Sequence, residues 1–174
     1  MQIKTFNSFN PEHTQLYEQI LLLTQSIDID YPEYVNWFRT KFISGLKKKE
    51  RLYIIAQDEN QTLVGCALLK NTPQEKKICT LFVDPRFRKK GLGKQLLQQS
   101  IKQLGEYPLI TVSNRNLPQL SHLLEHCGFH LSAIKKNVYN PNDVEYYFND
   151  QKADIIKDKF IPVLLKRMNQ LKQK

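Results

Sequence analysis

Five cations, Arg86, Arg88, Lys89, Lys90 and Lys94, fall within nine positions that hold no acid, and Gly91 and Gly93 sit inside the run. A run of like charge is ordinarily a solvated face. The two glycines give this one a second meaning. Without side chains the main chain can come close to a bound group, and where a helix begins its first N–H groups are unpaired and carry the positive end of the dipole. Backbone donors and full charges converging there suit a compact anion, and a pyrophosphate fits best. Two commoner phosphate motifs fail on their own requirements. A P-loop needs Gly and a Ser or Thr where Arg88 and Gln95 stand, and a dinucleotide fingerprint needs a third Gly where Leu96 stands. What is left is Arg88-x-x-Gly91-x-Gly93.

Other residues able to do chemistry are better explained by packing. His122 and His126 are four apart on a helix, a metal-pair spacing, but HLLEH is not HExxH, and no metal is expected. Cys127 beside Gly128 lies on an apolar helix face and is expected to pack there. Cys66 and Cys79 also stand in apolar runs with no CxxC pair, as thiols of a reducing compartment do. Tyr139, Tyr146 and Tyr147 are expected to pack on a closing hairpin.

The elements that would position the glycine loop follow from periodicity. Ile78–Val83 is apolar on both faces, as a covered central strand is, and stops at Asp84-Pro85. Leu92, Leu96, Leu97, Ile101 and Leu104 keep a helical period over 91–104. The loop therefore joins a central strand to an amphipathic helix. Upstream, Ile3–Phe9 alternates as a strand. Asn10-Pro11 caps a helix carrying Leu16, Ile20, Leu23 and Ile27, and Asp30–Pro32 restarts one carrying Val35, Phe38, Phe42 and Ile43. The run 47–51 reads as a charged loop. Leu52–Gln57 and Thr62–Lys70 flank turn residues and make a hairpin. Downstream, Leu109–Val112 is a short strand, and Asn116 is placed to cap a helix over 117–127 that Gly128 closes. His130–Tyr139 and Val144–Asn149 form a second hairpin. This is an α/β layered chain with no repeat and no internal linker.

Composition sets the outer limits. The chain has 174 residues, 41% of them apolar and 25% charged, with a net charge of +9. One domain of ordinary size is expected. No apolar run approaches a membrane span, and the polar start lacks a signal core, so a cytoplasmic protein with no membrane partner is expected. Residues 151–174 carry seven Lys/Arg against Asp154 and Asp158, with an apolar set Ile155, Ile156, Phe160, Leu164, Leu165 and Met168. This basic segment is expected to be helical, bent near Pro162, and packed on its own domain or on a second copy, in a monomer or homodimer. The charge could also serve nucleic acid, but no RNA- or DNA-binding signature accompanies it, and none is expected as partner.

Leu81-x-Val83-x-Pro85, then Arg88-x-x-Gly91-x-Gly93, then Asn116, a short helix and Gly128-Phe129, resemble in order and separation the signatures of the Gcn5-related N-acetyltransferase (GNAT) superfamily. The resemblance covers residues 1–150. It implies an α/β domain with a central mixed, mostly antiparallel sheet flanked by helices, and 151–174 as an extension. It implies acetyl-CoA as cosubstrate and a small-molecule or peptide amine as acceptor. Carried over residue by residue, pantetheine would pair with Leu81, Phe82 and Val83, while Arg88, Lys89, Lys90, Gly91, Leu92, Gly93 and Lys94 would hold the pyrophosphate and Asn116 would join them. One departure stands out. Many members have a Tyr five residues before the Phe, able to protonate the leaving thiolate; this chain has Leu124. Glu33 and Glu75 lie in segments that border the family's acceptor groove and, with Tyr139, are the weak catalytic candidates. No single side chain is then expected to be indispensable for proton transfer. A family fold that binds CoA without catalysis is the alternative, beside a basic nucleic-acid module.

Overall fold

Asn10 starts the first helical segment as its side chain dictates. In extended conformation it accepts the Glu12 amide on Oδ1 at 3.0 Å, and Pro11 takes the first helical position. A 3₁₀ turn, Pro11–His13, runs into α1 (Thr14–Thr24). Buried on α1 are Tyr17, Ile20, Leu21 and Thr24, with Leu16, Leu23 and Ile27 only at the margin of that face. Tyr17 can go inside because the Asn10 backbone satisfies its hydroxyl on both sides. The next helical stretch differs from its expected stripe. It comprises α2 (Tyr34–Trp37), a π-helical turn at Phe38–Phe42 and α3 (Ile43–Lys47). Val35 faces out, 40% exposed, and Tyr34 is buried in its place. Its hydroxyl donates to Thr24 Oγ1 at 3.1 Å, while the wide turn keeps Phe38 and Phe42 both inside.

The structure, a computed structural model, describes residues 1–105, 108–141 and 143–150. The expected helix over 151–174 and its bend lie outside them. Among the described residues one sheet has seven strands: β1 (Gln2–Phe6), β2 (Arg51–Gln57), β3 (Leu63–Asn71), β4 (Lys76–Val83), β5 (Leu109–Ser113), β6 (Leu131–Lys136) and β7 (Val144–Phe148). They lie in the order β1-β2-β3-β4-β5-β7-β6, and every pairing is antiparallel except β4 with β5. The mixed, mostly antiparallel α/β sheet is thus as the sequence led one to expect.

Strand alternation divides the core in two. Ile54 and Ala56 point to one face, where α4 (Leu92–Leu104) and α5 (Leu117–His126) bring Leu96, Leu97 and Leu124. Tyr53 and Ile55 point to the other, against Ile20, Phe38, Phe42 and Leu46. β2 and β3 are covered on both sides, whereas β4 changes along its length. Ile78 and Thr80 are buried, but Leu81, Phe82 and Val83 are only half-buried. Full cover of Ile78–Val83 is therefore not found, and the reason is a split in the sheet. β4 pairs with β5 only at Lys77↔Leu109 and Ile78↔Ile110. A register shift in the β3 pairing, from Leu69↔Ile78 to Leu68↔Thr80, leaves Cys79 as the extra residue of a bulge at that point. From Cys79 onward the strands part.

Leu96 ties α4 to the sheet. It is fully buried, and a Cβ built on Gly65 of β3 would come within 3.1 Å of its Cδ1. Leu96→Ala is expected to lower stability by about 3 kcal/mol, within the range for a buried leucine, as measured by urea unfolding.

Candidate functional site

The split opens at the end of β4 directly into the glycine loop. Asp84 ends the strand: it accepts the Arg86 amide and receives a two-point contact from the Arg86 guanidinium, at 3.1 and 2.7 Å. That hydrogen bond, above all, holds the Asp84 carboxyl below the ordinary range despite its burial. A 3₁₀ turn, Pro85–Phe87, follows. Arg88 then folds back on its own strand. Its Nε donates to the Val83 carbonyl at 3.0 Å, and its guanidinium lies 5.7 Å from the centroid of the Phe82 ring. Lys90 lies over Phe87, and Lys94 reaches His126 Nε2 at 3.0 Å. Arg88, Lys89, Lys90 and Lys94 are all exposed, so the loop presents its charge to solvent.

The two glycines do different work. Gly91 has φ +80°, in the left-handed region, and caps α4; the helix begins at Leu92, one residue inside the expected 91–104. The first intrahelical bond runs from the Gln95 amide to the Gly91 carbonyl. The Leu92, Gly93 and Lys94 amides therefore stand at the start with no partner in the helix. Gly93 has no unusual φ, and a Cβ there would meet only Leu123 at 3.6 Å and Val83 at 3.9 Å. Its missing side chain is not a demand of the fold; it leaves the approach to the amides open.

Across the split, Asn116 departs from the expected cap. It has helical φ and ψ and makes no capping bond. Its amide nitrogen donates instead to Asp30 Oδ2 at 2.8 Å and Ser113 Oγ at 2.9 Å, joining β5 to the segment before α2. Asp30 is 6% exposed; Arg115 Nε lies 3.1 Å from its Oδ1 as an ion-pair partner, but not aligned for a hydrogen bond. Asn140, from the β6–β7 turn, donates to the Asp30 carbonyl at 2.8 Å. Three chain segments are thereby held together.

The weak catalytic candidates are scattered. Glu75 forms an ion pair with Lys70 at 2.7 Å at the far end of the hairpin, and Glu33 accepts from Asn36 on an exposed turn. Tyr139 is 46% exposed but lies edge-on to Tyr31, with centroids 4.9 Å apart. Leu124 is fully buried in the core. Tyr146 packs in the core and donates to Asn114. His122 and His126 stack at 6.5 Å, and no group of three metal-binding side chains occurs among the described residues. Burial pushes the Cys66 thiol up to about 12 and raises Cys127 as well. Burial likewise outweighs Arg51 and Lys77 at Cys79, whose Sγ accepts from Arg51 Nη1 at 3.4 Å.

One acid at the split was not singled out in the sequence. Glu145 on β7 registers against Ser113 on β5, is 4% exposed, and accepts the Tyr31 hydroxyl at 2.8 Å. Its alternation in VEYYF reads as an outward polar position. Only the α1–α2 segment, 114 residues away in sequence, makes it an inward one.

The glycines can be separated by stability alone. Gly91→Ala forces a side chain into the left-handed region and is expected to cost about 1–2 kcal/mol. Gly93→Ala meets ordinary contacts in a helix, and thermal unfolding should show it no less stable than the parent chain.

Comparison with known proteins agrees with this geometry. The family profile described as "Acetyltransferase (GNAT) family" matches residues 9–129. The uncharacterized N-acetyltransferase YvbK of Bacillus subtilis (strain 168) is 35% identical over 130 residues, covering 72% of this chain and 74% of that one. Among solved structures, an aminoglycoside 6'-N-acetyltransferase complexed with coenzyme A superposes with a TM-score of 0.63 at 15% identity, covering 85% of this chain and 95% of that one. The ribosomal-protein-S18-alanine N-acetyltransferase from Escherichia coli gives 0.62 at 18%, covering 84% and 92%. At such identities the superpositions speak for the fold. No helix among the described residues is long and apolar enough to cross a membrane. With a strand order, a split and a glycine-capped helix that all meet at one loop, the profile match and the Bacillus relative place this chain in the GNAT family of acetyltransferases.

Proposed function

We propose that the chain transfers the acetyl group of acetyl-CoA to a primary amine by direct attack of the amine on the thioester. The observation that carries this is the open edge of β4 leading, through the Pro85–Phe87 turn and the glycine loop, to the start of α4. An extended pantetheine arm pairs with main-chain groups of Leu81, Phe82 and Val83, as an added strand does. The pyrophosphate then falls at the amides of Leu92, Gly93 and Lys94, with Gly91 shaping the turn and Arg88, Lys89, Lys90 and Lys94 supplying charge. Asn116 acts as a brace beyond the end of the facing strand. Residues 1–150 form the catalytic domain, with 151–174 as its extension. The amine belongs to a small molecule or a peptide.

Catalysis on this reading is positioning together with polarisation of the thioester carbonyl by main-chain donors. Acetyl-CoA at a hundredfold over its dissociation constant is expected to stabilise the protein by about 2.7 kcal/mol in a thermal-shift assay. Gly93→Ala should abolish that shift while folding normally, whereas Lys89→Ala, an exposed charge, should cost at most about 1 kcal/mol of binding. No shift with either CoA or acetyl-CoA on folded protein would overturn the reading. Glu33→Gln and Glu75→Gln, neither of them in the split, and Tyr139→Phe, which keeps the ring against Tyr31, should each lower kcat by no more than about tenfold. That is below the ~10²–10⁴ of a dedicated acid or base.

A further inference from the structure

Tyr31 and Glu145 form a hydrogen-bonded pair on the α1–α2 face of the sheet, where β5 has parted from β4. We propose that this pair is the proton acceptor for the substrate amine: the ammonium docks on the Tyr31 hydroxyl oxygen, and its proton leaves through Tyr31 to Glu145. The inference rests on the acetyl-transfer reading above and adds to it the residues that deprotonate the nucleophile.

Geometry makes the argument. Glu145 is 4% exposed and cannot meet a substrate directly, but Tyr31, whose hydroxyl donates to Glu145 Oε1 at 2.8 Å, is only half-buried. With its own proton committed to the carboxylate, the Tyr31 oxygen offers its lone pairs to a donor from the split. An ammonium N–H is such a donor. Tyr31 is also held in place. The neighbouring Asp30 is fastened to Asn116 on one side and to Asn140 on the other, and Tyr139 packs edge-on to the Tyr31 ring. Tyr147, two positions along β7, is half-buried on the same strand face, and its ring is already taken by the Lys135 ammonium, 4.3 Å from the centroid, so the Tyr31 oxygen and not the Tyr147 ring is the place an alkylammonium would occupy. The chemical class this fits is a primary alkylammonium, and an acceptor bearing an anion beside its amine would be repelled.

Charge supports the same assignment. Burial raises the Glu145 carboxyl above its ordinary 4.5, and Asp143 adds to the rise. The Tyr31 and Thr111 hydroxyls and the Lys77 ammonium pull it down. Burial, with Glu145, Tyr139 and Asp30 around it, raises Tyr31 so far that it stays a neutral donor at all working pH. A buried carboxylate whose affinity for a proton is raised can take one from an ammonium better than an exposed one can.

The step balances. One ammonium proton passes to the Tyr31 oxygen while the Tyr31 hydroxyl proton passes to Glu145. The freed nitrogen lone pair forms the N–C bond to the thioester carbonyl. The C–S bond breaks, and the thiolate takes a second proton from the same nitrogen. Glu145 returns its proton to solvent. The net products are an N-alkylacetamide, CoA thiol and one proton.

Glu145→Gln and Tyr31→Phe test this, since Gln can still accept the Tyr31 bond and Phe keeps the ring. Acetyl transfer is followed by thiol release with n-butylamine, spermidine, kanamycin and an alanine-initiated peptide, with acetyl-CoA binding checked by thermal shift. At pH 7 each variant should lose at least a hundredfold in kcat/KM with the thermal shift intact, and the double variant should be no worse than either single one. The wild-type rate should level off above the Glu145 pKa because the enzyme deprotonates bound ammonium. The variants should keep rising with pH and recover at least tenfold of the defect by pH 9.5, where free amine is supplied by the solvent. A loss under threefold, or a loss of equal size at pH 7 and 9.5, overturns the proposal. Should none of the amines be acetylated by the wild-type chain, the acetyl-transfer reading fails. Titration of ¹³C-labelled glutamate carboxyls then decides the pair separately. Glu145, assigned by its absence in Glu145→Gln, should titrate above 4.5 and move higher in Tyr31→Phe. A value at or below 4.5, or one that Tyr31→Phe leaves unmoved, contradicts the proposal.

Discussion

Two residues of parallel pairing, Lys77↔Leu109 and Ile78↔Ile110, are all that join the halves of this sheet, and everything at the site depends on their number being so small. A strand in the middle of a sheet ordinarily has ladder partners on both sides. β4 loses the β5 ladder from Cys79 onward, and main-chain groups left without partners cost free energy unless water or a ligand satisfies them. The bulge at Cys79 increases the local twist and turns the strand end away from β5. The two halves stay aligned because other forces hold them. Helices α4 and α5 share one apolar cluster across the divide, and Asn116 links Ser113 on β5 to Asp30 on the opposite layer.

The same opening sets the electrostatics. At its basic end the charges of Arg88, Lys89, Lys90 and Lys94 project into solvent, around helix amides that need an acceptor. At its other side Glu145 and Asp30 are carried into the protein, each with partners from a different layer. The proposed pairing of an anionic cosubstrate with a cationic acceptor calls for such a separation of sign, and the strand order supplies it: β4 leads into the glycine loop, while β5 pairs with β7, which carries Glu145.

Local pattern made much of this legible. The glycine loop, the helix period after it and the two hairpins each announce themselves over about twenty consecutive residues or fewer, and all are present. What pattern could not supply is long-range. Nothing in ICTLFV marks Cys79 as the bulge, because the bulge is a relation to β3. Asn116 looked like a cap by its neighbours, but its partner Asp30 lies 86 residues away. Glu145 alternates as a solvent residue would, and only the Tyr31 contact reverses that reading. Gly91 and Gly93 look equivalent in the sequence; backbone conformation separates a glycine the turn requires from one the fold does not.

Amide hydrogen exchange with and without acetyl-CoA is the measurement closest to the central claim, since it reads the main-chain groups at the open edge themselves. Saturating acetyl-CoA is predicted to slow exchange in 79–83 and in 91–94 together, with β1 and β2 little changed, because one extended ligand engages both the strand edge and the helix start. Protection of 91–94 with none in 79–83, under saturation, would show that the split does not receive the ligand and would contradict the account.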